Sequence, residues 1–167
     1  MEGELVVDYK FNQKRLFSMV FTMIPTHIIK EACDSLFIGG SQGVKNKRDE
    51  WKLATKTNSR ISPDEMLIIA LQAWASKNNI LRILAVDVEN QIAKSLNGNR
   101  PDYSLTYDTL WANSGGDKKQ NYYVLPNLPF IKDRSEKNNY RSRDKKQDAL
   151  RLEIFEEIKN NLTQFLV

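Results

Sequence analysis

Side chains alternate from Glu4 to Phe11, with Leu5, Val7, Tyr9 and Phe11 on one side and Glu4, Asp8 and Lys10 on the other. That period of two predicts a half-buried strand. Asn12-Gln13-Lys14 supplies a turn, after which Phe17, Met19, Phe21 and Met23 alternate with Leu16, Ser18, Val20 and Thr22. The opening therefore reads as an antiparallel hairpin that Pro25 ends. Leu36 to Gly40 is a third strand, and Arg48 to Lys56, carrying Trp51, Leu53 and Ala54, a short helix.

Ser62-Pro63-Asp64-Glu65 is the clearest local signal in the chain. It combines an N-cap serine, proline at the first helical position and acidic residues in the first turn. The helix that follows, Met66 to Ala75, has almost no polar side, which predicts packing against several neighbours. Asn78-Asn79 closes it. Ile80 to Val88 is apolar on both faces apart from Arg82 and Asp87, as in an interior strand. Strand, crossover helix and strand in that order predict a parallel pair. Asn97 to Pro101 reads as a loop, Tyr107 to Asn113 as a short helix stopped by Gly115-Gly116, and Tyr122 to Leu125 as a strand ended by Pro126. Leu150, Ile154, Phe155, Ile158, Leu162, Phe165 and Leu166 recur at helical spacing, so the chain closes on an amphipathic helix.

The expected fold is thus a single α+β domain over residues 1–167. It has a mixed sheet with an antiparallel N-terminal hairpin and a central parallel strand pair, helices on both faces, and a C-terminal amphipathic helix. A length of 167 residues, with 41% hydrophobic and 28% charged residues, suits one folded domain with its own core. One cysteine, Cys33, and one histidine, His27, supply neither a disulfide nor the usual four-ligand zinc site, so no metal is expected. No stretch has the length of a membrane span, and Glu2 and Glu4 stand where a secretory signal carries basic residues, so the expected location is cytoplasmic. The net charge of +4 is modest, so any attraction to a polyanion has to come from a local cluster.

Four groups of residues could carry chemistry. Gly39-Gly40-Ser41-Gln42-Gly43 could bring backbone amides, at Gly40, Gln42 and Gly43, to a phosphate or carbonyl; a bulge or tight turn at a strand end accounts for the same glycines. Asp87, Glu89 and Asn90 follow the carboxyl end of the interior strand, where ligand and acid–base groups collect in sheets with parallel strands. Glu89 and Asn90 also suit the capping of a helix from Gln91 to Leu96. Tyr107 and Trp111, one helical turn apart, could line a pocket or form an aromatic core layer. The basic segment from Lys132 to Arg151, with Arg141 and Arg143 at its centre, could bind a protein or nucleic-acid partner, or be a solvated helix face. It has no nucleic-acid motif and is diluted by Asp133, Glu136, Asp144 and Asp148, so nucleic acid is not the expected partner.

The order of several short segments resembles the bacterial VirK/YbjX family of unknown function. They are Glu2-Gly3-Glu4-Leu5, Leu36-Phe37-Ile38-Gly39-Gly40 with Gln42-Gly43, Leu81 to Val86, Tyr107-Asp108 with Trp111, Gly115-Gly116, Leu125-Pro126, and Ser135, Lys137, Tyr140, Arg141 and Arg143. The likeness covers nearly the whole chain and implies the carboxy-terminal portion of a longer family architecture. It also implies a link to virulence, envelope stress defence and resistance to antimicrobial peptides. The element order is similar, more distantly, to GNAT-type acyltransferases, in which a splayed sheet admits the pantetheine arm of an acyl donor. That similarity implies acyl-CoA or acyl carrier protein as a donor, Asp87 or Glu89 as base, and an acceptor pocket shaped by Tyr107 and Trp111. The Gln42 to Lys47 stretch lacks the second glycine of the acyltransferase phosphate loop, and a helix intervenes before Ser62.

Overall fold

A computed structural model describes residues 5–29, 33–90, 104–131 and 142–162. The helix expected from Gln91 to Leu96 and the loop from Asn97 to Pro101 lie outside the described residues. Strands β1 (Leu5–Phe11) and β2 (Lys14–Ile24) form the hairpin, joined by Asn12 and Gln13, both at positive φ (49° and 64°). Positive φ at both central residues matches the right-handed twist of the paired strands. After Pro25 comes a single helical turn, α1 (Thr26–Ile29), that the sequence pattern does not show. Strand β3 (Ser35–Gly43) pairs antiparallel with β2.

Helices α2 (Arg48–Thr57) and α3 (Pro63–Lys77) then lead to β4 (Arg82–Val86), which lies parallel to β3. Helix α4 (Ser104–Asn113), the two-residue β5 (Asp117–Lys118), β6 (Tyr122–Leu125) and helix α5 (Ser142–Asn161) follow among the described residues. The six strands form one sheet in the order β1-β2-β3-β4-β6-β5, antiparallel except for the central β3/β4 pair. This is the α+β fold with a mixed sheet that the patterning predicts.

Alternation explains the core. Val7 and Tyr9 of β1, Phe17, Met19, Phe21 and Met23 of β2, Leu36 and Ile38 of β3, Ile83 and Ala85 of β4, and Tyr123 and Leu125 of β6 share one face. Against it pack Leu67, Ile68, Leu71 and Ala75 of α3, with Trp111 of α4. Trp51 of α2 and Trp74 of α3 meet Phe17 and Phe21 edge-on, with ring centroids 5.4 and 5.6 Å apart. The opposite side of α3 gives Ile69 and Ala73 to a second cluster, closed by Ile61 and by Phe155 of α5. A helix apolar nearly all round is therefore buried from two directions, between sheet and α5. Arg151 of α5 locks that packing, with Nε 2.7 Å from Glu65 and Nη1 2.9 Å from Asp148.

The local signals are read out with two changes. Ser62 stands at the N-cap of α3 with Pro63 behind it, but its hydroxyl donates to Asp64 and makes no capping bond to the backbone. The interior strand is shorter than its apolar run, because Ile80 belongs to the end of α3. Asn79 takes φ 59°, its N–H reaches Ser76 O, and Ile80 N–H reaches Ala75 O at 2.9 Å, a Schellman closure with asparagine in the glycine position.

Candidate functional site

Strands β3 and β4 stay paired only as far as Ile38 and Ala85. Beyond that point β4 ends at Val86, while β3 runs on through Gly39 to Gly43, still paired to β2. Its register slips between Val20 and Phe21, opposite Gly39 and Gly40, so the bulge reading of the glycines is realised. None of these glycines is at positive φ, and a side chain at Gly40 would meet no atom within 4 Å.

Helix α4 fills the fork between the parting strands. Ser41 N–H donates to the Tyr107 hydroxyl at 3.0 Å, and that hydroxyl donates to Ser41 O, so one phenol takes both backbone groups of a residue that β4 no longer reaches. One turn on, the fully buried Trp111 donates from Nε1 to Val86 O at 2.9 Å, stacked edge-on against Tyr107. Both aromatic residues thus serve the strand ends, and Trp111 is a core residue as well. Side chains from one helix replace the backbone ladder where it splits.

Past Val86 the chain turns on Asp87, which is 2% exposed. Its Oδ1 accepts the backbone N–H of Asn90 at 3.0 Å and the Asn90 side-chain amide at 2.7 Å. Asp87 therefore closes a turn, while the helix that Glu89 and Asn90 are expected to cap lies outside the described residues. Glu89 and Asn90 are exposed on that turn.

A charged cluster that sequence reasoning does not single out stands beside this turn. Asp108, next to Tyr107 on α4, accepts from Val88 N–H at 3.4 Å and from Lys118 Nζ at 3.0 Å. Lys118 also sits 5.5 Å over the ring of Tyr123. The hydrogen bond to Asp108 raises the Lys118 pKa above its ordinary 10.5. Burial, and then the Asp108 carboxylate, hold the Tyr123 phenol above 10.0. The sequence contains one clue, since Asp108 falls inside the Tyr107-Asp108 segment; a two-residue β5 leaves no periodicity by which to find Lys118.

Beyond the last β3/β4 pair, β3 carries Gly40, Gln42 and Gly43, the turn after β4 carries Asp87, Glu89 and Asn90, and Tyr107 and Trp111 reach the two strands at Ser41 and Val86. Gly40 and Gln42 pair with Val20 and Ser18, whose side chains face away from the core; Ser41 and Tyr107 lie on the core side. Arg141 and the side chain of Arg143 lie outside the described residues. His27 is exposed and Cys33 half-buried. Among the described residues no group of three His, Cys, Asp or Glu side chains could hold a metal ion, and no helix is long and apolar enough to cross a membrane.

The family described as "Protein of unknown function (DUF535)" matches residues 1–164. The chain belongs to this family. DUF535 is the VirK/YbjX family, so the resemblance carried by the Leu36 to Gly43 and Tyr107 to Trp111 segments holds over the whole chain. Those two segments are one wall of the fork, β3, and the helix that fills it. No curated protein matches the chain, and no solved structure does.

Proposed function

We propose that this DUF535 chain is an acyl-transfer domain acting in the cytoplasm in bacterial envelope stress defence, with acyl-CoA or an acyl carrier protein as donor. The observation that carries the reading is the fork: β3 outruns β4, and the outward N–H and C=O of Ser41 are held by a single phenol in place of a strand. A pantetheine arm carries amides that offer the same donor and acceptor, and so can take the place of Tyr107 along β3. The strand order, with one central parallel pair bridged by a buried helix, supports the same reading. It is also the arrangement that the acyltransferase likeness implies.

In this reading the donor's phosphate or thioester carbonyl lies along Gly40, Gln42 and Gly43, where the missing side chain of Gly40 leaves open space. Glu89, exposed on the turn past β4, takes the proton from the acceptor. Asp87 fixes that turn by accepting from Asn90, which is exposed beside Glu89, and Tyr107, backed by the buried Trp111, shapes the acceptor side. Native mass spectrometry and thermal shift with acyl-CoA and with acyl carrier protein test the proposal. A bound donor and a higher Tm are expected. Absence of binding by both donors, together with a wild-type phenotype for Glu89→Ala, overturns it.

A further inference from the structure

Strand β1 is the end strand of the sheet, so one of its edges has no neighbouring strand among the described residues. Which backbone groups stand on that edge follows from two anchors further in. Both backbone groups of Ser41 go to Tyr107 and so point away from β2, whereas Val44 N–H reaches Leu16 O at 3.0 Å. Backbone groups alternate in direction along a strand, so Leu16, Ser18 and Val20 turn theirs to β3, and Phe17 and Met19 turn theirs to Tyr9 and Val7 of β1. The 2.6 Å bond from Ser18 Oγ to Asp8 agrees, since side chains lie closest in a pair that exchanges no backbone bonds. At the irregularity in this ladder the extra residue, Leu16, belongs to β2: Tyr9 pairs with Phe17 and Lys10 with Arg15, and β1 alternates without a break. The outward N–H and C=O groups are therefore those of Val6, Asp8 and Lys10, all three exposed residues.

We infer that a second copy of this chain pairs antiparallel with this edge, on a two-fold axis through Tyr9, so that two sheets join into one. Outward backbone groups have to meet outward ones, and the registers that do so while pairing most of β1 centre on Val7, Asp8 or Tyr9. Centring on Asp8 sets two carboxylates directly opposite each other, and centring on Val7 leaves Asp8 opposite the apolar Val6. Centring on Tyr9 sets Asp8 opposite Lys10 of the other copy, and the two-fold repeats the pair. Tyr9 then meets its own equivalent and Val7 meets Phe11, in the positions where cross-strand side chains approach closest. Leu5 and Val6, the latter 58% exposed, come opposite the turn residues Gln13 and Asn12 of the other copy and gain cover. Edge strands that stay single are commonly shielded by charge. One acid and one base two positions apart give no such shield against a copy of themselves, because the two-fold brings them together.

Analytical ultracentrifugation and amide hydrogen exchange on the unaltered full chain test this together. The expected results are a species of twice the chain's mass and exchange at the Asp8 and Lys10 amides that slows as concentration rises. Asp8→Lys and Lys10→Asp should each lose the dimer, because each sets like charges opposite one another. Mixed one to one, the two variants should form a heterodimer, because the mixture restores both opposite-charge pairs. Far-UV circular dichroism of each variant separates a lost interface from a lost fold. A monomer at every concentration overturns the inference, as does protection of those amides that is independent of concentration, the sign of an edge covered by a segment of the same chain. A dimer that persists in either single variant, or folded variants that stay monomeric when mixed, overturns it too. Because the first two measurements use the unaltered chain, misfolding of a variant would not rescue it.

Discussion

Replacing Gly115 by alanine separates backbone and packing contributions at the turn that ends α4. Gly115 sits at φ +80°, its N–H reaches Ala112 O, and Gly116 N–H reaches Trp111 O at 2.8 Å, so the two glycines form a Schellman closure. An alanine forced into that left-handed conformation costs about 1–2 kcal/mol. Its Cβ would also stand 2.4 Å from Phe130 Cδ2 and 2.5 Å from Cγ. Contacts so near the root of the ring are not relieved by spinning it, so Phe130 must leave its seat, and overpacking of this kind costs about 1–3 kcal/mol. Gly115→Ala should therefore lose about 2–5 kcal/mol. Urea unfolding followed by fluorescence of the three tryptophans measures it. Measured against Phe130→Ala alone, the double variant Gly115→Ala/Phe130→Ala should retain only the backbone part, and Gly40→Ala, with open space around it, should stay within about 0.5 kcal/mol of wild type. If Gly115→Ala costs no more than Gly40→Ala, the reasoning from Cβ placement and positive φ is refuted.

Tyr107→Phe strips the hydroxyl from both backbone groups of Ser41. It should cost about 1–3 kcal/mol and speed hydrogen exchange at the Ser41 amide, a change that two-dimensional NMR reads residue by residue. Arg151→Met removes the cation shared by Glu65 and the nearly buried Asp148, and calorimetry should show a loss of about 2–4 kcal/mol, part of it regained in Arg151→Met/Asp148→Asn. For Tyr123 the folded pKa lies above the unfolded 10.0, so its contribution to stability is complete below pH 10 and is lost as pH rises through the folded value. Absorbance at 295 nm should show one phenol ionising later than an exposed tyrosine, and Tyr123→Phe should remove that late step.

What the sequence discloses follows the range of the forces involved. Period-two alternation in Leu5 to Met23 and the unbroken apolar face of Met66 to Ala75 are local consequences of burial, and both elements stand where the pattern puts them. Pro63 and Gly115 act within one turn of themselves, so the start of α3 and the end of α4 are legible too. The fork depends on partners far apart in the chain: Tyr107 and Ser41 are 66 residues from one another, and no periodicity encodes that meeting. The same holds for Asp108 with Lys118, brought together by a strand of two residues, and for Ser62, whose hydroxyl is diverted to Asp64. Gly39 to Gly43 shows from both sides how far residue type alone carries. The residues announce a bulge or tight turn at a strand end, and the pairing with Val20 and Phe21 decides for the bulge and fixes its place.

The fork also has an energetic logic that bears on ligand entry. A free strand edge beyond Ile38 would invite pairing with another chain, and the Tyr107 phenol prevents it by occupying Ser41 on that side. Displacing the phenol breaks the two hydrogen bonds at Ser41, a loss of about 1–3 kcal/mol if nothing replaces them. If the proposed pantetheine arm binds here, one of its amides restores both, so the exchange is close to neutral in hydrogen bonds and the affinity comes from other contacts. Weakening the plug should then favour the arm. Tyr107→Phe should bind an acyl-pantetheine more tightly than wild type, by up to the cost of the lost plug, even though the variant is less stable. Equal affinities measured by calorimetric titration would mean that the arm, if it binds, does so without moving Tyr107.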